Sequence, residues 1–320
     1  MEKKIKLYIH LGFPKTASTL LQNYYFSSIS EIKYLNNNNS NLKKLIQRML
    51  FYKLDKYKNQ KKRINRIVNN ISFSSDKVNI ISDESFTDLS TNDEINPLNI
   101  IEKFKLTFPK KKFDIKFIIV TRNQIDLLLS HYAYCYNNFL LRNLIWTTFE
   151  KFILSIKEKK YENYLKFYNF NYWKKSMIKQ KVDYRFFMYE VLNKNPNNFY
   201  RDLSFYLNIK YKTLNTKKIN VSIRKNKSNI VINKKINILN LVFKLTDFNL
   251  YFNLKSKKFN TLLKRTLLLF KNKSNIAHHN KKTIKIIKKL YLKENILFLN
   301  SNKRFKKFSN FYKFSGHSRA

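Results

Sequence analysis

Between Ile9 and Gln22 the chain reads IHLGFPKTASTLLQ, and here its chemistry-capable residues crowd together. Gly12 is one of only 2 glycines in 320 residues, and Lys15 follows it with Thr16, Ser18 and Thr19. Where a turn meets a helix start, backbone N–H groups lack intrahelical partners and the positive end of the helix dipole stands behind them, so anions bind. Lys15 adds a full charge, Thr16, Ser18 and Thr19 add short donors, and Ala17 belongs to the same loop. The expected ligand is a phosphate or a chemically similar anion, with Gly12 placed where the chain must turn tightly beside it. The plainer use of these residues is an N-cap by Ser18 and a solvated lysine.

The flanking segments are those needed to hold such a loop. IKLYIHL (5–11) is rich in β-branched and aromatic residues and reads as a buried strand, and STLLQNYYF (18–26) reads as the helix after it. A polar helical stretch follows over 41–69, then a strand, KVNIISDESF (77–86), that runs out into acids. FDIKFIIVTRN (113–123) is the most apolar strand, and QIDLLLSHYAYCYNNFL (124–140) is its helix. Farther on, 146–179 is helical, VDYRFFMYE (182–190) is a strand, and 195–209 is a helix with Pro196 near its first turn. Alternating strands and helices predict an α/β fold with a central parallel sheet flanked by helices in three layers, and a binding crevice at the carboxyl ends of the strands. We expect one domain over 1–320, with a core over about 5–230 and a basic helical C-terminal part over about 231–320. In that part 217–229 reads as a basic loop, 250–271 as a basic amphipathic helix, and 281–300 as a stronger helix.

Composition limits the partners. The net charge of +45 suggests an anionic partner, but scarce Gly and Ala beside abundant Phe, Tyr, Lys, Asn and Ile indicate A/T-rich coding, which discounts it. Residues 204–320 hold 29 Lys and Arg against two acids, Asp247 and Glu294, so a catalysis-free nucleic-acid-binding protein is one alternative reading. Peripheral contact with a membrane through the basic C-terminal helices is another expectation, since Ile284, Ile287 and Leu290 share one side of 281–300 between lysines. Cys135 is the only cysteine, which builds no disulfide or cysteine metal site, and the His278-His279 pair lacks companions for one. With no apolar run of membrane-spanning length and no signal-peptide pattern, the expectation is a cytoplasmic protein.

The loop is not a Walker A motif, because only Phe13 and Pro14 separate Gly12 from Lys15. A nucleoside or nucleotide kinase of P-loop type, which needs that motif, is therefore the weaker enzyme reading. Gly-x-Pro-Lys-Thr followed by a small residue and Ser-Thr instead resembles the 5'-phosphosulfate loop of sulfotransferases that use 3'-phosphoadenosine 5'-phosphosulfate (PAPS), of bacterial type, in which Gly often stands where this chain has Ala17. VTRNQIDLLLSHYAY resembles the same family's 3'-phosphate segment, with Arg122 at the strand end and Ser130 on the next helix. A guanidinium fork matches phosphate oxygens, and Arg is the minority cation in this Lys-rich chain. RFFMYEVLNKNPNNFYRDLSFYLNI (185–209) resembles the family's tyrosine-glutamate strand end and following helix, with Tyr189 and Glu190 read as structural. INVSIRKNKS (219–228) resembles its Asn-x-Ser loop, which assigns Ser222 and Arg224 to the 3'-phosphate or adenosine.

The resemblance implies a P-loop NTPase-like fold of sulfotransferase type, PAPS as donor without a metal, and a hydroxyl or amine acceptor. It implies further that the acceptor is a carbohydrate or glycolipid, and the basic excess suggests an anionic one, with no nucleic acid as partner. Lys15 would stabilise the leaving phosphate. For the base, Glu84 is the first choice and Asp83 the second, with capping of the following turn as the other use of either. His131 competes because it adjoins Ser130, although neighbouring helix positions point apart; His10, inside a strand, reads as a packed core residue.

Overall fold

The computed structural model describes residues 3–36, 38–87, 96–141, 146–158, 161–212, 229–232, 275–301, 305 and 309–313. Its centre is a five-stranded, all-parallel sheet of β1 (Ile5–Gly12), β2 (Ile32–Leu35), β3 (Val78–Asp83), β4 (Phe113–Thr121) and β5 (Asp183–Met188), in the order β2-β3-β1-β4-β5. Parallel strands need crossover segments, and those put cover on both faces. Successive side chains therefore enter two separate cores. Leu7, Ile9 and Leu11 of β1 join Phe117 and Ile119 of β4 on one face, while Tyr8, Ile118 and Val120 meet on the other.

The first face is covered by α2 (Ser40–Phe51), α4 (Lys61–Asn69), α5 (Pro97–Thr107), α6 (Gln124–Leu141) and α9 (Phe170–Lys179), whose apolar residues share one cluster. Between these lie α3 (Leu54–Asn59), α7 (Phe149–Ser155) and α8 (Glu162–Phe167). On the second face, Leu21 and Tyr25 pack with Phe199, Tyr200 and Leu203 of α11 (Pro196–Leu207), which follows α10 (Tyr189–Lys194). The three-layer α/β architecture expected from the alternating pattern is the one observed.

Several expected boundaries move. The helix after β1 begins as a short α1 (Ser18–Leu20) and continues as a π turn over Leu21–Phe26. The helical stretch over 41–69 is divided into three helices, and β2 arises from IKYL, a strand absent from the expected elements. The strand expected over 182–190 ends at Met188, where α10 starts. A two-stranded antiparallel pair, β6 (Asn229–Ile232) with β7 (Asn275–His278), was not anticipated. The helix expected over 250–271 lies outside the described residues, as do Ser222 and Arg224.

The basic C-terminal segment runs into the core. Helix α12 (Lys281–Asn300) opens on a capping box between Asn280 and Thr283, and Ile287, Tyr291, Phe298 and Leu299 are buried in the cluster of the first face. Ile284 and Ile287, the apolar side that would meet a membrane surface, are turned into that cluster. No helix among the described residues is long and apolar enough to cross a membrane. The Asn295 and Gln124 amides pair reciprocally at 2.7 and 2.9 Å, and α13 (Ser309–Tyr312) brings the Tyr312 hydroxyl to Thr121 at 2.9 Å and Glu190 at 3.1 Å.

Candidate functional site

The sheet register sets the site. Leu11 lies opposite Asp83 and Gly12 opposite Val120, so the chain leaves β1, β3 and β4 at one level. The loop after Gly12, Glu84 after β3 and Arg122 after β4 consequently gather at adjoining carboxyl ends, the crevice where open α/β sheets take ligands.

The loop is anchored by Phe13, fully buried with its ring edge-on to Phe167, Phe170 and Trp173 at 5.5 to 5.6 Å between centroids. Thr16 tightens the turn, its N–H and hydroxyl both donating to the Phe13 carbonyl, at 3.2 and 2.6 Å. Lys15 and Ala17 have φ of 68° and 66°, in the left-handed region. Gly12 does not, so the tight-turn role expected of it belongs to Lys15 and Ala17. What glycine supplies at position 12 is closeness. A Cβ there would stand 3.1 Å from Ser18 Cβ and 3.3 Å from His10 Cε1, tighter than side-chain contacts normally are, and at an ordinary 3.5 Å from Glu84 Cγ.

Ser18 does not cap the helix. The cap position is Ala17, with no side-chain hydrogen bond, and the Ser18 hydroxyl donates to Glu84 Oε1. Thr19 follows on α1, half-buried. The turn-capping alternative for the two acids is realised by Asp83, whose Oδ1 accepts from the Ser85 N–H at 2.8 Å, while Glu84 is the acid beside the loop. Thr87, at the end of the 3-10 turn Glu84–Thr87, ties that turn to β1 by donating to the Gly12 carbonyl at 2.5 Å.

Two cations converge on this loop. Lys15 Nζ lies 4.3 Å above the Tyr134 ring, and burial pushes its pKa down, opposed by Glu84 and reinforced by Arg122. Arg122 is 8% exposed, donates through one terminal nitrogen to the Lys15 carbonyl at 2.9 Å, and stacks at 4.8 Å on Tyr189. Its Nε is buried without a hydrogen-bond partner. A desolvated guanidinium N–H of this kind is costly unless something accepts from it. Behind Arg122, Glu190 accepts from the Asn123 N–H at 2.7 Å, and burial drives its pKa up against those bonds and the Arg122 charge.

Ser130 is buried, nearly two turns into α6, and no hydrogen bond joins it to Arg122 among the described residues. His131 is fully buried with Nδ1 paired to the Tyr168 hydroxyl, which removes it from reach of an acceptor in solution. His10 is a core residue, as its strand position implies; its Nδ1 bonds Ser82 Oγ at 2.6 Å, and burial pushes its pKa down to about 3. Tyr134, which flanks Lys15, is absent from the sequence expectations, and Tyr189, expected to be structural, stacks on Arg122. Tyr134 carried a usable signal, standing four residues after Ser130 and so on the same helix face.

No family model matches the chain, and neither does any curated protein. Among solved structures it is similar to a sulfotransferase from Alicyclobacillus acidocaldarius, at 13% identity and a TM-score of 0.39, covering 69% of this chain and 88% of that one. It is similar to the sulfotransferase domain from the curacin biosynthetic pathway at 13% identity and TM-score 0.37, covering 66% and 76%. Mouse sulfotransferase SULT7A1 complexed with PAP is matched at 16% identity and TM-score 0.35, covering 90% of each chain.

Proposed function

We propose that the protein transfers a sulfonate group from PAPS to a hydroxyl or amine acceptor, a carbohydrate or glycolipid. The observation that carries this reading is Arg122, nine-tenths buried at a strand end with an unpartnered Nε, stitched to a left-handed loop that bears Lys15. Buried, desolvated cations of this kind await an anion with several acceptor oxygens.

The donor would supply a sulfonate whose bond to the 5'-phosphate oxygen breaks as a bond to the acceptor's oxygen or nitrogen forms. Residues 12–19 would hold the 5'-phosphosulfate end, with Lys15 neutralising charge on the departing phosphate. Arg122, with Ser130, would hold the 3'-phosphate. Glu84, oriented by the Ser18 hydroxyl, would take the acceptor's proton. The absence of a side chain at Gly12 lets Ser18, which orients Glu84, approach β1 closely.

Thermal unfolding with adenosine 3',5'-bisphosphate, compared with ATP and Mg²⁺ at matched ionic strength, tests the donor. A rise in Tm selective for the bisphosphate is expected; a rise selective for ATP and Mg²⁺ would return the protein to the kinase reading. Arg122→Ala should weaken bisphosphate binding by about 1.5 to 3 kcal/mol, the scale of a charged hydrogen bond, measured by calorimetry. Unchanged affinity would sink the role given to Arg122.

A further inference from the structure

Beside the anion loop an open cleft of 390 Å³ reaches from the end of β3 to the loop between β2 and α2, and Glu84 lines it. We propose that this cleft is the acceptor site and that it selects an uncharged carbohydrate. The inference rests on the sulfonate-transfer reading, since Glu84 belongs to both sites.

The lining chemistry is the argument. Gln22 and Asn23 of the π turn and Asn36 and Asn38 after β2 bring four carboxamides to one cleft, together with the half-buried ring of Tyr34. A carboxamide offers a donor and an acceptor side by side, which suits vicinal hydroxyls. An aromatic face with a polar edge suits the C–H face of a sugar ring. Two of the amides are held in place: Gln22 Nε2 donates to Ser82 Oγ at 3.0 Å, and Asn36 Oδ1 accepts from the Asn38 N–H at 3.1 Å. This leaves Gln22 with a carbonyl and Asn36 with an NH₂ group in fixed orientation, and a fixed orientation lowers the entropy lost on binding.

Charge decides between acceptors. Among the described residues no Lys or Arg lines the cleft, whereas Asp83 and Glu84 do. An acceptor carrying carboxylate, phosphate or sulfate would meet these like charges in the lining. The anionic acceptor suggested by the overall charge is therefore the wrong class for this cleft, and the overall field serves the donor instead.

The full chain, saturated with adenosine 3',5'-bisphosphate, should be applied to an array of neutral and acidic glycans beside a Tyr34→Ala/Asn36→Ala variant. Cleft-dependent binding is the signal lost in that variant. We expect it on neutral glycans, with a loss of at least tenfold, while Asn36→Lys at this exposed position should extend binding to acidic glycans. Cleft-dependent signal on acidic glycans, or no glycan signal that differs between the parent and the double variant, would overturn the inference. The bisphosphate-induced rise in Tm reports the donor site separately. Its absence in the parent protein would mean that the sulfonate-transfer reading itself fails, and its retention in the double variant shows that the variant is folded.

Discussion

Ala17 is where the loop departs from the pattern it resembles, and the departure has a physical cost. An L-residue with a Cβ held at φ 66° is strained by about 1 to 2 kcal/mol, whereas glycine is not. Ala17→Gly loses some of that gain to the greater freedom of the unfolded chain, so a net stabilisation of about 0.5 to 1 kcal/mol is expected in urea unfolding. Unchanged or lower stability would mean that the loop relaxes in solution away from the left-handed geometry. At this scale much of the site was legible. Lys15 could be named from the glycine and hydroxyls around it, and Arg122 and Glu84 from the family resemblance at the ends of apolar strands. The choice between Asp83 and Glu84 was not legible, because adjacent residues leave a strand end on different sides. Only the bond from the Ser85 N–H to Asp83 and the contact of Ser18 with Glu84 separate them. The role of Gly12 was misjudged for a related reason, since scarcity marks a glycine as needed without telling whether backbone angle or space is what it supplies.

At the scale of elements, the loop works because it is fastened at both ends. Phe13 enters the aromatic nest formed by Phe167, Phe170 and Trp173, and Arg122 clips the Lys15 carbonyl to the end of β4. Phe13→Ala should therefore cost about 3 to 5 kcal/mol of stability, as full-size aromatic truncations in cores do. It should also weaken bisphosphate binding, because the left-handed turn two residues on loses its footing. Chemical unfolding and calorimetry on the same variant check both parts, and intact affinity would show that Arg122 alone holds the turn. Long, strongly apolar or strongly periodic elements were readable from sequence, as β1, β4 and α12 illustrate. Strand β2 was not: IKYL is four residues long and its cue is drowned by the asparagine run that follows. The pair β6 and β7 is joined by neighbours far apart in the chain, and local periodicity carries no trace of such pairing.

For the whole molecule, the telling groups are the two buried ionisable residues that flank the strand ends. His10 lies in β1 on the side of Phe26, bonded to Ser82, and Glu190 lies beyond β5, bonded to Asn123 and to Tyr312 of the C-terminal segment. Their effects on stability have opposite signs. The folded state holds the His10 proton only below about pH 3, against 6.5 when exposed, so between those values the unfolded chain binds more protons and stability rises with pH. Burial raises the Glu190 pKa above its ordinary 4.5, so above that value the folded state holds the proton more tightly and stability falls as pH rises. His10→Gln should flatten the increase in stability between pH 3 and 6.5, by up to about 1.4 kcal/mol per pH unit, the limit for one proton. Glu190→Gln should steepen the same increase above pH 4.5, at the expense of the bonds that join Tyr312 to the sheet. Urea unfolding of the parent and both variants across this range separates the two, because the general repulsion of a chain at +45 is common to all three. Parallel pH profiles would mean that neither group titrates from a buried site, and that the strand ends admit water more freely than their packing implies.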